Sequence, residues 1–252
     1  MTFHFRRLPL LVAFLLPACV IDLDGDLLDG ACIDADPRTE TVTIDEPIHA
    51  VVIDNGTGDI NVRAHDDPGA RVDAKFYGDG PDGSWLRVED GVLHVVVDCE
   101  GCCGADLTLT VPAAAELDVE LGTGDVEVSD RSGSVDVDLG TGDIELERVA
   151  GALVLSVGTG DIEGEELAGP AATAELGTGD ISLDFDPAAP PQTVAIEAGT
   201  ASVDLHLPNG TYDLDLQTDT GEISTDDLHH EAGADRRIAV SVGTGTIDVR
   251  GH

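Results

Sequence analysis

From residue 117 onward, apolar and polar residues alternate with a period of two. Leu117, Val119 and Leu121 fall on one side, Asp118 and Glu120 on the other. After Gly122-Thr123-Gly124 the alternation resumes, with Val126 and Val128 against Asp125 and Glu127. Such alternation on both sides of a short glycine-bearing break predicts two half-buried strands joined by a tight corner. The same reading holds for Val135/Val137/Leu139 with Ile144/Leu146, and for Leu153/Leu155/Val157. It continues through Leu176/Ile181/Leu183, Val194/Ile196, Leu214/Leu216 and Ile238/Val240/Val242 with Ile247/Val249. No stretch predicts an amphipathic helix of useful length; Ala113-Ala114-Ala115 is too short. The first half is less regular. Val51/Ile53 and Ile60/Val62 make one clear unit. Pro68-Gly69, the Gly-rich run 77–83 and a cysteine cluster then interrupt the pattern, although Leu93/Val95/Val97 and Leu107/Leu109/Val111 still alternate.

The breaks carry one phrase. Gly-Thr-Gly-Asp followed by Ile or Val stands at 56–60, 122–126, 140–144, 158–162 and 177–181, with weaker copies at 199–203, 219–223 and 243–247. Its threonines step from 123 to 141, 159 and 178. A fixed period near 20 residues marks one supersecondary unit stacked many times. Two all-β folds satisfy the pattern. In an antiparallel meander the phrase would make hairpin turns, and the apolar face would need a second layer. In a β-solenoid of about 18–24-residue coils the phrase is a corner stacked coil on coil, and the opposite wall covers the apolar face. Near-identical corners at constant period favour the solenoid. The corner glycines are Gly122, Gly124, Gly140, Gly142, Gly158, Gly160, Gly177 and Gly179, residues that reach positive φ and allow close backbone approach.

Composition sharpens this picture. Only 3% of residues are aromatic against 42% hydrophobic, which suits a narrow interior of small aliphatics. The 51 acids outnumber 12 lysines and arginines, a net charge of −39. The apolar content is too regular for disorder, so the acids form the outside of an ordered body. Nucleic-acid binding is excluded by the lack of basic patches. Cations, basic peptides or basic proteins are the electrostatically matched partners.

The N-terminus reads as an export signal over 1–18: Arg6-Arg7, then an apolar run from Leu8 to Ala18, too short to span a bilayer. Leu15-Leu16-Pro17-Ala18-Cys19 resembles a bacterial lipobox, with Cys19 as the lipidated residue and Pro17 as a departure from the usual pattern. An ordinary cleaved secretory signal is the alternative. Val20 after the cysteine resembles the default for outer-membrane sorting in a cell with two membranes. Residues 19–40 then form an acidic tether. Residues 41–252 form the repeat domain, with irregular first coils at 41–112 and regular repeats at 113–252. Setting Cys19 aside leaves Cys32, Cys99, Cys102 and Cys103. In an exported chain these predict disulfides, with Cys32 joined to the 99–103 cluster and stapling an insertion. A zinc site is the rival, without the paired spacing of a zinc ribbon.

Strand, Gly-Thr-Gly-Asp-Ile/Val, strand, preceded by Val111-Pro112-Ala113, resembles the bacterial "putative adhesin" family of β-strand repeat proteins over residues 41–252. That resemblance implies a β-repeat fold on exported or membrane-attached chains, with a structural or interaction role and no catalytic residues to carry over.

The sharpest chemical candidate is a column of corner carboxylates, Asp125, Asp143, Asp161 and Asp180, with Asp59 either joining it or standing separate. Stacked about 4.8 Å apart, neighbours repel by roughly 1 kcal/mol in water. Calcium could bridge them. Alternatively each Asp satisfies backbone amides of its own corner. Outward acids such as Asp118, Glu120, Asp136, Asp138, Glu145 and Glu147 read as a solvated face. His229-His230 reads as a polar loop rather than a metal site. Trp85 reads as packed within its Gly-rich insertion. There is no Gly-x-Ser-x-Gly, phosphate loop or His-Glu-x-x-His. With only Arg131 and Arg148 as cations between 117 and 228, a polysaccharide lyase is disfavoured. The expectation is a protein without catalysis or cofactor, lipid-anchored through Cys19 at the cell envelope, with an unidentified protein or surface partner.

Overall fold

A computed structural model describes residues 37–78, 80–81, 84–98 and 104–252. The expectations placed on 1–36 and on Cys99, Cys102 and Cys103 lie outside the described residues.

The described chain is all-β, and no helix occurs among the described residues. The irregular first part holds β1 (Arg38–Ile44), β2 (Ala50–Thr57), β3 (Ile60–His65), β4 (Ala70–Tyr77), β5 (Leu86–Glu89), β6 (Val92–Val97) and β7 (Gly104–Pro112). The regular part begins with β8 (Glu116–Thr123), β9 (Val126–Ser129), β10 (Val135–Thr141), β11 (Ile144–Glu147), β12 (Leu153–Thr159) and β13 (Ile162–Leu167). It continues with β14 (Ala171–Phe185), β15 (Thr193–Leu207), β16 (Thr211–Thr220), β17 (Ile223–Asp226), β18 (His229–His230), β19 (Arg237–Thr244) and β20 (Ile247–Gly251).

Pairing decides between the two sequence readings. Strands joined by a Gly-Thr-Gly corner do not pair with each other. Instead β8 pairs in parallel with β10, β10 with β12 and β12 with β14, each offset by one repeat (Val119 opposite Val137, Val137 opposite Leu155). On the other side of the corner β9, β11, β13 and β14 pair likewise. β14 and β15 run through their corners and belong to both walls. This is the pairing of a solenoid-like stack, not of hairpins. Alternation then sends every second side chain inward. Val119, Leu121, Val126, Val137, Leu139 and Ile144 are each about 1% exposed or less. The two walls bury each other's apolar faces.

The stacking order departs from chain order at both ends. β2 pairs with β6 and β8, and β3 with β7 and β9, so the coil 50–65 lies between 92–112 and 116–129. β19 pairs with β15 and β16, and β20 with β15 and β17. The last coil in sequence, 237–251, is therefore the penultimate layer, and 211–226 is the outermost. At the opposite end β5 lies antiparallel on β6, β4 antiparallel on β7, and β1 antiparallel on β4. Trp85 packs edge-on against Phe76 with centroids 5.2 Å apart and is 7% exposed.

Candidate functional site

Each corner is built by close approach of backbones. Gly124, Gly142, Gly160 and Gly179 have φ between +136° and +146°, a region that L side chains rarely adopt. A Cβ at any of them would fall on the carbonyl oxygen of the glycine one coil below. Both demands select glycine, so repetition of the phrase is first a stacking requirement. The corner amides bond across coils: Gly124 N donates to Thr141 O at 3.0 Å and Gly142 N to Thr159 O at 3.0 Å.

The aspartates bond across coils as well. Asp125 Oδ1 accepts from Asp143 N at 3.0 Å, Asp143 Oδ1 from Asp161 N at 2.7 Å, and Asp161 Oδ1 from Asp180 N at 2.7 Å. Asp180 Oδ1 accepts from Ser202 N at 2.9 Å. Each carboxylate thus caps the next coil's amide, where the sequence suggested its own corner. Asp59 is not apart from the column: its Oδ1 accepts from Asp125 N at 3.1 Å. Asp106, which sequence reasoning missed, extends the column by accepting from Asp59 N at 3.3 Å. The signal was present. Asp106 precedes the inward Leu107 as Asp59 precedes Ile60, and these two aliphatics are register partners.

Outward acids also stand in register. Asp118 pairs with Asp136, and Glu120 with Asp138, on the wall before the corner. Glu127, Glu145 and Glu163 line a shallow groove on the wall after it, beside Arg63 and Arg148. Partial burial pushes the Glu145 carboxyl above its usual range, and repulsion from Glu127 and Glu163 adds to this. Burial likewise raises Asp136, with Asp118 and Asp138 adding to it. Scarce cations are committed locally. Arg148 Nε lies 2.6 Å from Asp130 Oδ1 and the guanidinium also pairs with Glu147. Hydrogen bonding from Arg148 holds Asp130 below the usual carboxylate range. Arg131 is 1% exposed and donates to the carbonyls of Pro112 and Ala115; burial lowers its pKa to about 10.

His229-His230 forms the short exposed strand β18 against the start of β16, and His230 Nδ1 accepts from Leu214 N at 3.0 Å. Among the described residues no group of three or more His, Cys, Asp or Glu stands close enough to hold a metal ion.

These features define a class: an all-β, solenoid-like repeat protein whose corners are tied by glycine contact and carboxylate caps. The family model described as "Toastrack DUF4097" matches residues 104–250, more than half of the chain. The chain belongs to that family. Solved structures to which the chain is similar include a "putative cell adhesion protein" from Clostridium sporogenes, 14% identical, covering 86% of this chain and 100% of its own at TM-score 0.39. A "putative adhesin" from Bacteroides fragilis is 17% identical over 85% of this chain and 97% of its own, at TM-score 0.44. A "putative lipid binding protein" from Parabacteroides distasonis is 14% identical over 86% and 97%, at TM-score 0.47. Among curated proteins, none matches the chain.

Proposed function

We propose that this chain is an exported envelope protein, lipid-anchored through Cys19, whose acidic β-stack makes contacts rather than catalyses: an adhesin-like role. Its parts would be a signal over 1–18, a tether over 19–40 and the repeat domain over 41–252. The observation that carries the reading is the set of in-register carboxylate columns on the outward walls, Glu127/Glu145/Glu163 above all. Stacked like charges cost stability, so a fold that keeps them presents them to something. The adhesion named for the Clostridium and Bacteroides structures is in keeping with this role.

Binding of the purified chain to bacterial envelope fractions tests it. At about 0.15 M salt retention is expected, and it should weaken but survive a moderate rise in NaCl. Binding that vanishes with modest added salt would replace adhesion by simple sequestration of cations or basic peptides. Cys19→Ser should abolish incorporation of labelled fatty acid in cells; unchanged labelling would remove the anchor from the reading.

The corner column leaves a second reading, calcium bridging neighbouring carboxylates two at a time along Asp125, Asp143, Asp161 and Asp180, since no three of them stand together. Each carboxylate gives one oxygen to an amide and keeps another, and calcium takes such oxygens. A saturable rise in melting midpoint with calcium, unmatched by magnesium or NaCl, is the expected result. An equal rise with all three would leave only charge screening.

A further inference from the structure

The two ends of the stack are finished differently. At the β6/β7 end, antiparallel strands close the edge, and they carry Arg38, Arg71, Lys75 and Arg87. Phe76 and Trp85 seal the interior there. At the other end, among the described residues, the outermost coil, β16 and β17, is paired on one side only along most of its length. β16 bonds β19 from Asp213 to Thr220, while β18 reaches only Thr211 and Tyr212. Among the described residues β17 pairs with β20 alone.

Backbone direction locates the free groups. Asp213 N donates to Arg236 O on the β19 side, and alternate residues of a strand point their amides to opposite neighbours. The amides of Leu214, Leu216 and Thr218 therefore face outward. That of Leu214 is taken by His230; among the described residues Leu216 and Thr218 remain as an open ladder. Apolar side chains lie beneath this edge. Leu214 and Leu216 are only half-buried, and Ile223 is 44% exposed. Their counterparts one layer in, Ile238, Val240 and Ile247, are about 1% exposed or less. Acids flank the edge at Asp213, Asp219, Glu222 and Asp226, and Asp215 among them already pairs with Arg237 at 3.3 Å.

We infer that the outer edge of β16 is a docking site for an extended, basic strand of another protein, one that alternates Lys or Arg with aliphatic residues. This inference rests on the contact role proposed above and gives it a place and a partner class. At its other end the molecule closes an edge with antiparallel strands, where Arg38, Arg71 and Arg87 pair with acids of their own strands and Lys75 reaches across to Asp106 on β7. Main-chain bonds to Leu216 and Thr218 would supply affinity, as in β-strand addition, and the acids would select for basic residues. A second copy of this chain fits poorly, because two acidic bodies would meet.

The probe is an acetylated, amidated peptide alternating lysine and valine, about eight residues long. Its comparison is the same peptide N-methylated at every second residue, which keeps charge and removes strand donors. With the full chain, saturable binding is expected, at least tenfold weaker for the methylated form, together with slowed amide exchange at Leu216 and Thr218. Leu216→Pro removes an outward donor, a change that edge strands tolerate, and should weaken binding by a similar factor. Asp215→Asn with Asp219→Asn should weaken it severalfold and keeps the test standing if the proline variant misfolds. Equal affinity for both peptides, or protection along the Glu145 groove instead, overturns the end site while leaving the acidic-surface reading intact. Protection of β16 that grows with protein concentration in the absence of peptide overturns it in favour of a second copy. Loss of envelope binding with the peptide site retained would instead remove the adhesin-like role.

Discussion

Gly160 sits at φ +141°, and the place a Cβ would take coincides with the carbonyl oxygen of Gly142. Asp143 Oδ1 lies beside it and accepts the amide of Asp161 at 2.7 Å. These neighbours make separable predictions. Gly160→Ala combines left-handed strain with backbone overlap and should cost about 2–6 kcal/mol, read as a lower urea midpoint. Asp143→Ala loses one cap and should cost about 1 kcal/mol. Asp143→Asn keeps an acceptor oxygen and removes a charge from a crowded column, so its midpoint should equal or exceed that of the parent. If Asn and Ala destabilise equally, the carboxylate does more than cap. The identity of these corner residues was legible in the sequence because each position satisfies a local demand. The direction of the aspartate bond was not, because capping its own corner or the next one up calls for the same residue.

At the scale of strands, inward and outward positions were legible because alternation writes them directly. Leu117, Val119 and Leu121 are buried as their pattern required. The order of layers was not legible. Every coil carries nearly the same corner, so the phrase says that coils stack and not which coil lies on which. The coil 237–251 fits between 193–207 and 211–226 because its inward set, Ile238, Val240, Val242, Ile247 and Val249, is fully apolar. The coil 211–226 offers Thr218 and Thr225 at matching positions, which suits an outermost layer. Likewise Asp130, Arg148 and Glu166 recur one repeat apart at φ between +52° and +60°. Their differing side chains concealed a shared turn. Removing residues 237–252 therefore takes out the penultimate layer, on which 211–226 rests. The five apolar side chains represent roughly 10 kcal/mol of gross burial, so the truncated chain should lose most of its cooperative urea transition. A transition merely shifted by a small amount would mean that 211–226 re-docks on 193–207.

Across the whole molecule, charge sets how stability responds to pH. Glu145 and Asp136 have carboxyl groups pushed above their ordinary values, by burial first and by neighbouring carboxylates second. A carboxyl whose pKa is raised on folding binds its proton more tightly in the native state. Stability from such a group is gained as pH falls from neutrality toward the raised value and lost as pH rises through it. Asp73 and Asp130 behave oppositely. Hydrogen bonds from Arg71 and Arg148 lower them, so their contribution is present above the ordinary carboxylate value and lost as pH falls through the lowered one. The two sets titrate on opposite sides of the ordinary range. Melting temperature should therefore rise on mild acidification from neutrality, then fall in stronger acid as the arginine-paired aspartates protonate. Glu145→Gln should raise the midpoint at neutral pH and flatten the mild-acid rise, because the group that gains a proton there is gone. Added NaCl at neutral pH should mimic part of that gain by screening the columns. A midpoint that falls steadily from neutrality downward would show that the arginine pairs, not the stacked carboxylates, govern the electrostatics of this stack.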